Sequence, residues 1–156
     1  MRQRRWGMAQ PLLAPEQNNH SPSLTPTTHR PTELSDMQFW DKWTHCAPFI
    51  NAALAYSGHS HTLDDVAEVV SKGDAQFWHS EDAALVTEII EYPRRRTLRF
   101  WLAGGDLNTL KDIEKDAIEW SKTWGCVSCE IVGRRGWVKA LEGYKDVATV
   151  GVKDYG

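Results

Sequence analysis

Thr97-Leu98-Arg99-Phe100-Trp101-Leu102-Ala103-Gly104-Gly105-Asp106-Leu107 decides how this chain folds, because the hydrophobic period changes inside it. Up to Ala103, Leu98, Phe100 and Leu102 alternate with Arg99, Trp101 and Ala103. That is a strand whose second face is also mostly covered, and so a central one. After two glycines Asp106 stands as an N-cap. Leu107, Leu110, Ile113, Ala117, Trp120 and Trp124 then recur every three or four residues as far as Gly125. This spacing predicts a long amphipathic helix closed by a glycine stop.

The flanking segments extend the pattern. Two runs rich in aromatic and branched residues, from Gln76 to Tyr92, meet at Glu81-Asp82 and read as a hairpin, and Pro93 with Arg94, Arg95 and Arg96 connects it to the central strand. Downstream, Val127–Val132 reads as a strand, Gly133-Arg134-Arg135-Gly136 as a turn, Trp137–Leu141 as a short helical segment and Asp146–Val152 as a last strand. Upstream, Ser35-Asp36-Met37-Gln38 has the form of a capping box. The helix it starts is kinked or split at Pro48 and carries its apolar face to about Tyr56. Thr62 caps a second, shorter helix that ends at Gly73, with Leu63, Val66 and Val70 turned inward.

At 156 residues the chain holds one compact domain, and 41% hydrophobic with 25% charged residues is ordinary globular composition. Eight tryptophans are a heavy load for this length, so buried Trp is expected to dominate the core, and truncating Trp101 to Ala is expected to cost about 3–5 kcal/mol. No apolar run approaches the roughly 20 residues that span a bilayer, and no apolar region follows the basic start, so a soluble protein made in a cytoplasm is expected. Three cysteines are too few and odd in number for a disulfide framework, which suits free thiols.

Five of the seven prolines fall in the first 31 residues among Asn, Ser, Thr and Gln, a composition that cannot bury enough apolar surface to fold alone. Residues 1–34 are therefore expected to be an extended arm that lies along a partner, and residues 35–156 the folded domain. Trp6, Leu12 and Leu13 are the candidate anchors of the arm, with Arg2, Arg4 and Arg5 steering it toward acidic surface. The net charge of −3 divides into a basic arm and an acidic body. The acidic body argues against a nucleic-acid-binding domain, and leaves the arm and the arginine-rich turns as the places where phosphate would be met.

Strand hairpin, central strand, long helix, strand, short helix and final strand, preceded by two helices, resemble the GNAT N-acetyltransferase family over about residues 36–152. The resemblance implies an α/β (α+β) fold, a mainly antiparallel mixed sheet flanked by helices. It also implies an acetyl-CoA site at the strand-to-helix junction, here Ala103, Gly104 and Gly105, with Glu88 as general base and Tyr144 as general acid. The family's loop presents backbone amides of a helix N-terminus to a pyrophosphate. In this sequence that junction lacks the family's Gln or Arg and places Asp106 where its carboxylate takes up the amides and repels an anion. The texture around Gly125-Cys126 and Gly133-Arg134-Arg135-Gly136-Trp137 is also similar to small virion-associated proteins of tailed bacteriophages, some of them acetyltransferase-like.

The remaining constellations are weaker. Cys126-Val127-Ser128-Cys129 has C-x-x-C spacing without a second pair, and on a strand its two thiols would face opposite ways, so no metal site is expected there. His59, His61, His45 and His79 would bind metal only if the fold gathered them. Arg94-Arg95-Arg96 and Arg134-Arg135 read as solvated turn charges. Taken together, the expectation is a virion protein of a tailed phage, made in the host bacterial cytoplasm. It uses a degenerate GNAT-like fold as scaffold, binds several neighbouring virion proteins through its arm, and takes no cofactor. The alternative is an acetyl-CoA-dependent N-acetyltransferase built on Glu88 and Tyr144.

Overall fold

The computed structural model describes residues 4–5, 35–58 and 60–156. Two capping boxes start the first two helices where the sequence sets them. The Ser35 hydroxyl accepts from the Gln38 amide at 3.3 Å and Gln38 Oε1 accepts from the Ser35 amide at 3.1 Å, opening α1 (Asp36–Leu54). Thr62 and Asp65 make the same reciprocal pair at the head of α2 (Leu63–Ser71). α1 runs through Pro48 as one helix, because losing one donor toward Thr44 is offset by a continuous buried stripe of Phe39, Trp43, Cys46, Ile50 and Leu54.

The sheet is built on β3 (Ala83–Tyr92) and β4 (Arg95–Gly105), antiparallel along their whole length and joined through Pro93-Arg94. On the outer edge of β3, β2 (Gln76–His79) pairs from Ala84 to Thr87. On that same edge β1 (Arg4–Arg5) sets Arg4 opposite Glu91 and Arg5 opposite Ile90. α3 (Leu107–Lys122) carries the chain from the end of β4 to β5 (Ser128–Ile131), which lies parallel to β4 from Thr97 to Phe100. α4 (Arg135–Ala140) follows. This is a mixed, mainly antiparallel sheet flanked by helices, and through β5 its element order is the one the resemblance implies.

Each face of the sheet has its own core. Ala84, Val86 and Leu102 pack with α1, α2 and Phe77, and Ala83, Leu85, Ile89, Leu98 and Phe100 pack with α3 and Trp78. Trp78 is fully buried, and its indole N–H donates to the Thr87 hydroxyl at 3.0 Å, which donates to Gln76 at 2.7 Å. A polar chain thus satisfies the largest core side chain.

Four expectations are corrected by the structure. Leu98, Phe100 and Leu102 do not share a face: the register slips by one residue between Val86 and Thr87, Trp101 is the extra residue of a bulge in β4, and Leu102 is turned to the α1–α2 side. Trp101 is part-exposed there, against the α1–α2 core and edge-on to His61, rather than central. Asp146–Val152 forms no strand, because Val147, Val150 and Val152 stand 75–81% exposed and nothing among the described residues pairs with them. The helix after β5 starts at Arg135, two residues early, and makes Arg134 its N-cap.

Candidate functional site

β4 outruns β5. Past Phe100 no β5 residue lies opposite it, and a pocket of about 290 Å³ opens there between the end of α1 and the start of α4. Its walls are Ala52, Ala53 and Tyr56 of the α1 end, Ala103, Gly104 and Gly105 of β4, and Arg134 and Trp137. The Arg134 guanidinium lies 4.0 Å over the Tyr56 ring, a cation–π contact that closes one side. The three residues that the resemblance assigns to a cofactor therefore line a pocket, just below the roughly 300–1,000 Å³ usual for small-ligand sites.

The two glycines have a packing reason to be glycines. A Cβ on Gly104 would run into the Phe49 carbonyl of α1, and one on Gly105 into the Asp82 carbonyl of the β2–β3 turn. Gly105 also has φ +108°, open to glycine alone at little cost. Close approach of β4 to its own neighbours thus accounts for Gly104-Gly105 without any phosphate. The helix N-terminus beyond them is already capped: Asp106 Oδ2 accepts from the Thr109 amide at 3.0 Å and from its hydroxyl at 3.2 Å. A carboxylate there offsets the positive helix end that would attract an anion.

Glu88 and Tyr144 are not brought together. Glu88 lies on the α1–α2 side of β3, 2% exposed, with its carboxylate 3.8 Å from the Arg99 guanidinium. Arg99 Nε in turn donates to Glu130 at 2.7 Å, and the Tyr92 hydroxyl donates to the same carboxylate at 3.1 Å, so a charged row crosses three strands. Tyr144 is on the other side, part-buried in the α3 core, its hydroxyl donating to Glu114 at 2.7 Å and lying 3.2 Å from Cys129 Sγ. Burial first, then those two partners, pushes the phenol far above its ordinary range, and it holds its proton.

The cysteines fall on one side, not two. Cys126 precedes β5 rather than belonging to it, so both it and Cys129 pack against α3. Burial raises both thiols, Cys126 to about 11, which favours their protonated form. His45 bonds the Glu81 carbonyl at 2.8 Å, His61 meets Trp101 and Ser60, and His79 lies beside Phe77. Among the described residues no three His, Cys, Asp or Glu side chains gather as a metal site, and His59 lies outside them. No helix among the described residues is long and apolar enough to cross a membrane.

Arg96 is not a solvated turn charge. Its Nε donates to Glu91 at 2.8 Å and its Nη1 to the Trp124 carbonyl, which ties the β3–β4 hairpin to the end of α3. Of the arm candidates, Arg2, Trp6, Leu12 and Leu13 lie outside the described residues. Arg4 and Arg5 are in β1, whose backbone pairs with β3 of the same chain. Sequence reasoning missed the charged row and the pocket residues Tyr56 and Trp137. The row had a signal, since Glu88, Arg99 and Glu130 are charges inside apolar strands, whereas Tyr56 and Trp137 are brought together only by the fold.

No protein-family model and no curated protein matches the chain. Among solved structures the chain is similar to the crystal structure of a possible acetyltransferase from Clostridium difficile 630. The two share 13% identity with a TM-score of 0.42, over 81% of this chain and 96% of that one.

Proposed function

We propose that this protein is a non-catalytic scaffold with a degenerate GNAT-like fold, working as a component of a tailed-bacteriophage particle and binding neighbouring protein through residues 1–34. The observation that carries the non-catalytic reading is the separation of Glu88 and Tyr144 by the sheet. A general base must reach the proton it removes and a general acid the group that leaves, within about 3 Å of one reacting centre or through one water. Groups on opposite faces share no such centre. The capped α3 N-terminus supports the same reading, and the phage setting rests on the sequence resemblance around Gly125 and Trp137.

The arm is the part suited to binding, since its apolar residues are few and spaced and its charge opposes that of the body. The decisive experiment is incorporation. The full chain should be found by mass spectrometry in purified particles at several copies, and a chain lacking residues 1–34 should fold yet be absent from them. Normal incorporation of the truncated chain would remove the assigned role of the arm.

A second reading, acetyl-CoA-dependent N-acetyl transfer, is favoured by one observation, the cavity lined by Ala103, Gly104 and Gly105. Calorimetric titration with acetyl-CoA separates the two. Submillimolar binding by the natural chain would favour the enzyme.

A further inference from the structure

We infer that the outer edge of β3 at Ile90–Tyr92 is a docking surface for the β1 strand of a second copy, so that neighbouring copies are linked by exchanging arms. The inference rests on the scaffold reading above and adds the identity of one partner, the chain itself.

The edge of β3 is divided. β2 covers it from Ala84 to Thr87, and beyond that stretch, among the described residues, Arg4 and Arg5 alone pair with it, at Glu91 and Ile90. A backbone edge left unpaired recruits another strand, and the β1 ladder is the strand this chain offers. The backbone register sets Arg4 opposite Glu91, and joins a segment of basic composition to a domain of acidic composition.

A ladder of two residues holds weakly, and the chain that joins it to its own domain is long. Between Arg5 and Ser35 lie 29 residues, whose contour length reaches about 100 Å at roughly 3.3–3.6 Å per residue. A domain of this size has a radius of gyration of only about 14 Å. The connection is long enough to carry β1 to the same edge of a neighbouring copy, where every contact of the closed form is remade. Exchange of an identical element is a low-cost route to association. It becomes competitive once copies are held together at the millimolar effective concentrations that short tethers supply.

The test mixes two purified full-length chains, one carrying Arg4→Cys and the other Glu91→Cys, both in a Cys129→Ser background. Residues opposite each other in an antiparallel pair stand at Cα separations compatible with a disulfide. Neither chain can close this disulfide within itself, so only exchange yields it. The expected result is a covalent heterodimer whose linked peptides contain positions 4 and 91, accumulating with protein concentration and lost when Arg5→Pro is added. A chain carrying both cysteines should likewise form linked dimers or longer chains at high concentration. The inference is overturned if the mixture gives no heterodimer while the double-cysteine chain closes only on itself. It is equally overturned if position 4 cross-links to position 91 in neither arrangement. Because only purified chain is used, failure here is separate from failure of particle incorporation, which depends on other proteins.

Discussion

Glu88 and Tyr144 stand on opposite faces of one sheet, the first 3.8 Å from Arg99 on the α1–α2 side and the second 2.7 Å from Glu114 on the α3 side. Each side chain has a structural neighbour, Arg99 for Glu88 and Glu114 for Tyr144. Tyr144→Phe should leave the fold intact, with a loss of about 0.5–1.5 kcal/mol for its hydrogen bond to Glu114. A chemical denaturation curve checks it, and a larger effect on any acyl transfer than on stability would contradict the structural assignment.

Arg99 holds the charged row together, and its loss should be costly. In Arg99→Met the buried Glu88 side chain loses its guanidinium neighbour and Glu130 its 2.7 Å donor. Breaking a buried pair from one side costs about 3–5 kcal/mol. Pairing the change with Glu88→Gln should recover a substantial part of that loss. A double variant no more stable than Arg99→Met alone would show that the two side chains are not coupled.

The Asp106 cap makes opposite demands on stability and binding. Asp106→Ala should destabilise the domain by about 0.5–2 kcal/mol through loss of the Thr109 amide bond. The same change uncovers the α3 amides, so any affinity for an anionic ligand such as acetyl-CoA should rise. A calorimetric signal that weakens in Asp106→Ala would run against the electrostatic reading of this junction.

Trp78 should matter more than Trp101. Trp78 is fully buried and donates to Thr87, and its replacement by Ala is expected to cost about 3–5 kcal/mol, whereas Trp101 at the bulge is part-exposed and should cost less. Melting temperatures of the two variants decide the order.

Burial of Cys126 sets a pH dependence. Its folded pKa of about 11 exceeds the ordinary thiol value, so the stability tied to it is complete below about pH 8.5, the unfolded thiol value, and is lost as pH rises through about 11. The stability difference between the natural chain and Cys126→Ala should therefore shrink across that range. A difference that stays constant to pH 11 would mean that the thiol titrates alike in both states.

Local signals were enough for most elements. Ser35 with Gln38, Thr62 with Asp65, and Asp106 ahead of a three-and-four stripe each fix a helix start by bonds within four residues, which the sequence contains in full. The Glu81-Asp82 turn and the glycine stop at Gly125 are legible for the same reason. Three outcomes depended on residues far apart in the chain. Trp101 became a bulge because the β3–β4 register is settled by both cores at once. Asp146–Val152 stayed unpaired because a strand exists only where an edge receives it. Glu88 and Tyr144 were parted because the face a side chain takes depends on the pairing of its whole strand. The sequence by itself determined where the first three helices begin and where β2 turns into β3, because capping and turn chemistry are local. The tertiary structure alone decided that the expected catalytic pair is divided by the sheet and that Gly104 and Gly105 serve close packing, because both are consequences of which backbones meet.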